Sequence, residues 1–222
     1  MPPAMRLEAV TRPLLGRAYV LSPLGEGYGH DPDPLLRWGA FDCTTFVETA
    51  LALVDCGDEP THVRLARIRY RGGEVAFERR RHFVGTQWTP DLIASGRLTD
   101  VTAELAPVVR ETFTFDRVRW SERRVAADLV LPEDALPFGE HAIVFAPVAY
   151  VAERAEQLPP GLLINVIKVD WQRAPDRVSH QALTVMRSGR LYVRHASTVS
   201  KRVVDETPAR FFARLLQPRG WP

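Results

Sequence analysis

Few backbone conformations suit the run Phe41-Asp42-Cys43-Thr44-Thr45-Phe46-Val47-Glu48-Thr49-Ala50-Leu51-Ala52-Leu53-Val54. Asp42 is placed to accept hydrogen bonds from the otherwise unpaired amides of a first helical turn. Phe46, Val47, Ala50, Leu51 and Val54 then recur at helical spacing. The pattern predicts a helix from Cys43 that stops near Asp55 to Gly57. Cys43 shares a stripe with Val47 and Val54, so its sulfur points toward the rest of the fold, with Thr44, Glu48 and Asp55 on the wetter side. A thiol at a helix start feels the positive end of the helix. The expectation is a lowered pKa and alkylation near neutral pH faster than at Cys56. The competing reading is a small buried side chain, because free cysteine is among the most buried residue types.

Such a helix needs a surface to pack on, and the tail supplies one. Ser179 to Met186 reads as a strand, Ser188-Gly189 as a two-residue turn, and Arg190 to Ser197 as the returning strand. A two-residue turn pairs Arg187 with Arg190. Counting back sets His180 opposite Ser197 and Ala182 opposite His195. The two histidines then project from one face as diagonal neighbours. Upstream, the apolar run Leu162 to Val169 reads as a buried strand. Downstream, Pro208 to Leu216 reads as a closing helix with Phe211, Phe212, Leu215 and Leu216 facing inward.

The remaining chain is less patterned. Residues 4–24 suggest a short helix closed by Leu14-Leu15-Gly16 and an extended piece from Ala18 to Leu21, and Gly25 to Gly39 reads as a loop. His62 to Arg71 begins helical or irregular and ends as a strand in which Ile68 and Tyr70 alternate with arginines. Gly72-Gly73 then turns it into a hairpin returning through Val75 to Phe77. Arginines such as Arg79-Arg80-Arg81 usually form a solvated face, although a guanidinium fork also suits a substrate carboxylate. Thr89 to Ala94 suggests a helical turn, and residues 100–130 suggest strands, as in Thr112 to Val118. Pro132 to Gly139 reads as a connector. Beyond it, a strand starts at Ala142 and a helix runs from Ala149 to Gln157.

The chain has 222 residues, 45% of them hydrophobic, enough for one domain with an inserted or elaborated middle region around 84–160. All but two of its 29 basic residues are arginine, yet the net charge is only +2 and no basic run joins a nucleic-acid-binding motif. No apolar run approaches the roughly 18 residues of a membrane span, and the first 25 residues show no secretory leader. A soluble monomer is expected. Its place is the bacterial periplasm or cell envelope if a leader has been removed, and the cytoplasm otherwise. Cys43 and Cys56 on one unbroken helix lie about 20 Å apart, whereas a disulfide needs alpha carbons roughly 4.4 to 6.8 Å apart, so they should not pair. There is no Cys-x-x-Cys, and His30, His62 and His141 lie in unrelated segments, so neither a metal nor a cofactor is expected.

A thiol, a proton carrier and a group that orients the carrier are the parts of acyl transfer through a thioester. Cys43 attacks a carbonyl, an imidazole takes its proton and returns it to the leaving amine, and a second polar group fixes the imidazole tautomer.

The segments Phe41 to Thr49, Ile68-Arg69-Tyr70-Arg71-Gly72-Gly73, Arg81-His82-Phe83 with Trp88, Ser179-His180 and His195-Ala196-Ser197 resemble the DUF1460 family. That family is described as N-acetylmuramoyl-L-alanine-amidase-like, within the NlpC/P60 superfamily of papain-like cysteine hydrolases. The similarity runs from about Leu15 to the C-terminus. It implies an α+β, papain-like fold in which the cysteine helix packs on an antiparallel sheet carrying both histidines. It also implies Cys43 as nucleophile, His180 as base and acid, and His195 as orienting group. Tyr19 falls beside the oxyanion site, as a second donor with the backbone N–H of Cys43. Asp42, His82 and Trp88 are further candidates near the substrate, with packing an equal alternative for His82 and Trp88. The chain departs from the family pattern at Gly161-Leu162, where Gly-Asp is usual, and at Ala182, where glycine is usual; an inward methyl there would narrow the cleft. The expected activity is hydrolysis of an amide bond in peptidoglycan or a muropeptide. The alternatives are thiol-dependent acyl or amide transfer, and a non-catalytic cell-wall or protein-binding module whose cleft is filled, for instance by the arginine-rich segment 67–81.

Overall fold

The computed structural model describes residues 2–121, 129–168 and 176–217, and opens with helix α1 (Pro3–Thr11). Proline suits its first position, where the missing N–H has no helical partner in any case. A single turn (Arg12–Leu14) and Gly16, at φ +79°, swing the chain into strand β1 (Ala18–Tyr19). Strand β2 (Ala40–Phe41) runs parallel to it, with Tyr19 opposite Phe41, and leads into helix α2 (Cys43–Val54). The start of α2 follows from its acidic cap. Asp42 Oδ1 accepts the Thr45 backbone N–H at 2.7 Å, while Thr45 Oγ1 accepts that of Asp42 at 3.0 Å. Such a reciprocal cap contributes about 1 kcal/mol.

Helix α3 (Thr61–Arg69) replaces the strand expected at its end. Leu65, Ile68 and Arg69 are buried at helical spacing, and α3 packs on α2. Only Tyr70 keeps a strand-like partner, in one isolated bridge to Arg80. Of the three successive arginines, Arg79 is exposed as expected, whereas Arg80 and Arg81 are struts. Arg80 reaches Glu26 at 2.5 Å and Asp31 at 2.8 Å. Arg81 binds Asp91 at 2.8 Å and the Tyr70 carbonyl at 2.7 Å.

Helices α4 (Thr89–Ala94) and α5 (Thr102–Leu105) precede strand β3 (Val109–Phe115), helix α6 (Arg117–Ser121) and strand β4 (Gly139–Phe145). Strands β3 and β4 form their own antiparallel pair. The strand expected to reach Val118 therefore ends at Phe115, and 122–128 lie outside the described residues. Helix α7 (Val148–Glu153) follows, and then strand β5 (Leu163–Ile167). β5 is only half-buried, because it is an edge strand, and Val169 lies outside the described residues.

Strands β6 (Val178–Arg187) and β7 (Arg190–Ser197) form the predicted hairpin. Strand β8 (Arg202–Glu206) continues the sheet, and helix α8 (Pro208–Leu215) closes the chain. Leu216 falls beyond α8 and is 47% exposed, not inward. The sheet order is β2-β1-β8-β7-β6-β5, antiparallel except for β1 with β2.

Helices cover both faces of this sheet. Leu183, Val185, Ala196 and Val203 pack with Leu7 of α1, with Phe46 and Val47 of α2, and with Trp88. On the other face Ala182 and Val193 meet Phe211 and Phe212 of α8, with Val148 and Val151 of α7. Fully buried Arg194 ties α1 to the first of these faces, reaching Asp205 at 2.7 Å and Thr11 Oγ1 at 2.8 Å. The fold is α+β, with helices on a curled, mostly antiparallel sheet, consistent with a papain-like NlpC/P60-type architecture. No helix of the described residues is long and apolar enough to cross a membrane.

Glu48 corrects an expectation. It is 3% exposed rather than wet, because α3 covers that side of α2 and brings Arg69 Nε within 3.6 Å. Burial pushes its carboxyl up to about 7, against the pull of Arg69. A carboxyl whose pKa is raised on folding stabilises the fold while protonated, and that contribution is lost as pH rises from about 4.5 through about 7. The stability difference between wild type and Glu48→Gln should therefore shift by roughly 3 kcal/mol between pH 4 and 8, to the detriment of wild type at the higher pH. Urea unfolding at the two pH values checks this, and parallel curves would refute it.

Candidate active site

Strands β6 and β7 pair from Arg187 with Arg190 down to Leu183 with Arg194, the register demanded by a two-residue turn. Continuing the count would set Gln181 opposite Ala196. Here the backbone N–H of Gln181 instead lies beside Cys43 Sγ and favours its charged form. The start of α2 thus meets the mouth of the hairpin, and the sulfur lies beside the residue that follows His180.

The electrostatics overturn the expected low pKa of Cys43. Burial, and then the Asp42 carboxylate, push the thiol up to about 11, outweighing the hydrogen bonds from Gln181 and Thr44. The residue that starts the helix therefore also brings a negative charge against the sulfur.

The two histidines meet as the face count predicts. His180 Nε2 and His195 Nδ1 are 2.9 Å apart, with the rings perpendicular. Both are buried, at 2% and 0% exposure. Burial, His195 and Arg214 hold the His180 imidazole well below its ordinary value, with Glu206 opposing them. At neutral pH the thiol and this imidazole therefore rest uncharged, and the proton moves as the sulfur attacks. Iodoacetamide labelling of Cys43 should accelerate with pH up to about 11, and exposed Cys56 should be the faster thiol at pH 7. A Cys43 rate already level by pH 7 would reveal a resting thiolate.

Sequence reasoning missed Glu206. It is 7% exposed, its Oε2 lies 3.9 Å from His195 Nε2, and Arg214 donates to its Oε1 at 2.8 Å. At 3.9 Å the Glu206–His195 pair is an electrostatic contact rather than a formed hydrogen bond. Burial alone would raise the Glu206 carboxyl, but His195 and Arg214 hold it at about 2. The signal that would have found it is the register of β8, since Val193 pairs with Glu206 and His195 with Val204.

A profile described as AmiA-like, N-acetylmuramoyl-L-alanine amidase-like, matches residues 9–215. The chain belongs to this AmiA-like family. A Legionella pneumophila protein of family DUF1460 superposes with a TM-score of 0.81 at 20% identity, covering 98% of this chain and 86% of its own. An N-acetylmuramoyl-L-alanine amidase from Bacteroides uniformis gives 0.76 at 22% identity, covering 99% and 95%. A search of curated proteins finds no match. At these identities the superpositions establish the fold, while family membership supports an amidase-type hydrolase.

The other candidates of the AmiA-like chain separate by position. Tyr19, half-buried on β1, lies close enough to Cys43 and Asp42 that their charges, after burial, help push its hydroxyl up to about 12; it stays a donor. Asp42 spends Oδ1 on Thr45 and Oδ2 on the Ser22 N–H at 2.9 Å, so it shapes the helix start. Trp88 is fully buried in the main core and does not line a cleft. His82 binds the Phe77 carbonyl at 2.7 Å, and burial lowers it to about 4. Ala182 packs with Phe211 under α8 and does not narrow an open cleft. A concavity of about 520 Å³ is lined by Glu26, Tyr28, His30, Phe77 and their neighbours, and it contains none of these candidates.

Proposed function

We propose that this AmiA-like chain is a cysteine amidase that cleaves an amide of a peptidoglycan fragment through a thioester on Cys43. The observations that carry the reading are the helix-start sulfur beside the Gln181 N–H, one residue after His180, and the contact of His180 with His195 at 2.9 Å. The substrate class rests on the family description and on the amidase from Bacteroides uniformis that shares the fold. Residues 84–160, with their separate β3–β4 pair, are read as an elaboration of a single domain.

In this reading His180 Nε2 is engaged with His195, and Nδ1 takes the thiol proton as the sulfur bonds to the amide carbon. The carbonyl electron pair moves to oxygen, where the Cys43 backbone N–H and the Tyr19 hydroxyl serve as donors. Collapse of this intermediate breaks the carbon–nitrogen bond, and the departing amine takes the proton from His180. Water then attacks the thioester as His180 accepts its proton, releasing the acid and returning the thiol.

Digestion of purified muropeptides by wild type and by Cys43→Ala, followed by mass spectrometry, tests the reading. The expected result is a pair of wild-type products whose masses sum to the substrate plus one water, with neither formed by the variant. Substrate unchanged by folded wild-type protein would overturn it.

A further inference from the structure

We propose that Glu206 is a positioning residue that sets the tautomers of His195 and, through it, of His180. This rests on the amidase reading of the same site. The sheet places the three side chains by one repeated step. His195 lies opposite Val204, so Glu206, two residues further along β8, is its diagonal neighbour on the same face. His180 lies three residues beyond the last paired residue of β6 toward β7, Leu183, where continuing the count makes it a diagonal neighbour of His195, and their ring nitrogens are 2.9 Å apart. Helix α8 closes over this line. Its Arg214 holds both oxygens of Glu206, at 2.8 Å from Nη1 and 2.7 Å from Nη2. Its Phe211 ring stands edge-on to His195 at 5.3 Å.

The chemistry follows from what each atom can do. An ionised carboxylate only accepts, so the carboxylate 3.9 Å from His195 Nε2 favours a proton on that nitrogen. A neutral His195 then has an accepting Nδ1, and His180 must donate to it from Nε2. That puts the lone pair of His180 on Nδ1, the form able to take a proton from the thiol. The opposite arrangement, with His195 donating from Nδ1, puts the proton of a neutral His180 on Nδ1 and removes the base. Glu206 selects between the two, and Arg214 keeps it charged and oriented. His195, Arg214 and Glu206 are the charged or titratable groups of β7, β8 and α8 that bear on His180, and the Cys43 sulfur of α2 lies beside the next residue of β6, Gln181.

Two readouts test this, one of them independent of turnover. Long-range proton–nitrogen NMR at neutral pH in a Cys43→Ala background should show both histidines as single Nε2–H tautomers, and adding Glu206→Gln should give mixed tautomers. In the active protein Glu206→Gln should lower kcat about 10- to 100-fold, by analogy with loss of the outer partner of a metal-ligating histidine. KM should stay within about twofold, the acid limb of the kcat/KM profile should move to lower pH, and Glu206→Asp should recover part of the rate. Unchanged tautomers in Glu206→Gln, or an unshifted pH profile with full kcat, would overturn the proposal. If no muropeptide is cleaved but the tautomers respond, the amidase reading fails and the positioning role stands. Should Glu206→Gln not fold, Arg214→Gln decides: with the carboxylate no longer held, mixed tautomers support the proposal and unchanged Nε2–H tautomers refute it.

Discussion

Cys43→Ala is expected to lower turnover of a muropeptide by roughly 10⁴- to 10⁶-fold, the scale on which a nucleophile's loss is felt when its partners act as a unit. The thioester route needs an atom that both attacks and leaves, and a methyl does neither. The substitution removes the sulfur beside the Gln181 N–H but leaves intact the cap made by Asp42 and Thr45. The folding cost should therefore be about 1–2 kcal/mol, one backbone donor losing its partner. Initial rates with urea unfolding of the same preparation separate the two effects. A variant that folds and keeps a hundredth of the wild-type rate would rule out the covalent route.

The second large effect is at His180. His180→Gln should lower kcat/KM by roughly 10³- to 10⁵-fold, because it removes the proton carrier for both halves of the reaction. Glutamine is preferred to alanine because its amide can still donate to His195 Nδ1, sparing the buried pair. The pH profile gives a second signature. A depressed imidazole stays neutral, and so able to accept a proton, at pH values where an ordinary histidine would already be charged. The acid limb of the wild-type profile should therefore fall below the ordinary histidine value of 6.5. The residual rate of the variant should instead climb with hydroxide across the accessible range. A wild-type limb above 6.5, or a variant that keeps its shape, would argue for another base.

How legible this was from residues alone depended on how local the signal was. The cap at Asp42, the span of α2 and the Ser188-Gly189 turn are set within a few residues, and the same-face count of His180 and His195 followed from them. The strand expected around Tyr70 failed because Ile68 belongs to the buried face of α3, which only the packing on α2 reveals. Glu48 looked solvent-facing on an isolated helix and is buried for the same reason. The pKa of Cys43 went the other way from expectation because burial and Asp42 together outweigh the helix end. Glu206 escaped notice because β8 is five residues long and two of its last three are charged, so nothing in its own composition marks it as half of a buried pair.

The β6–β7 turn has a reach well beyond its size. Ser188 and Gly189 both adopt positive φ, at 49° and 74°, the conformation of a two-residue hairpin turn. Side chains alternate faces along a strand, so one residue more or fewer in that turn would carry His195 to the opposite face from His180. The β7–β8 connection, where Lys201 also takes positive φ, governs His195 and Glu206 in the same way. Insertions and deletions at these two solvent-side corners should be as damaging to the chemistry as substitutions beside the sulfur. A length-conserving change there would leave the alignment of the three groups alone.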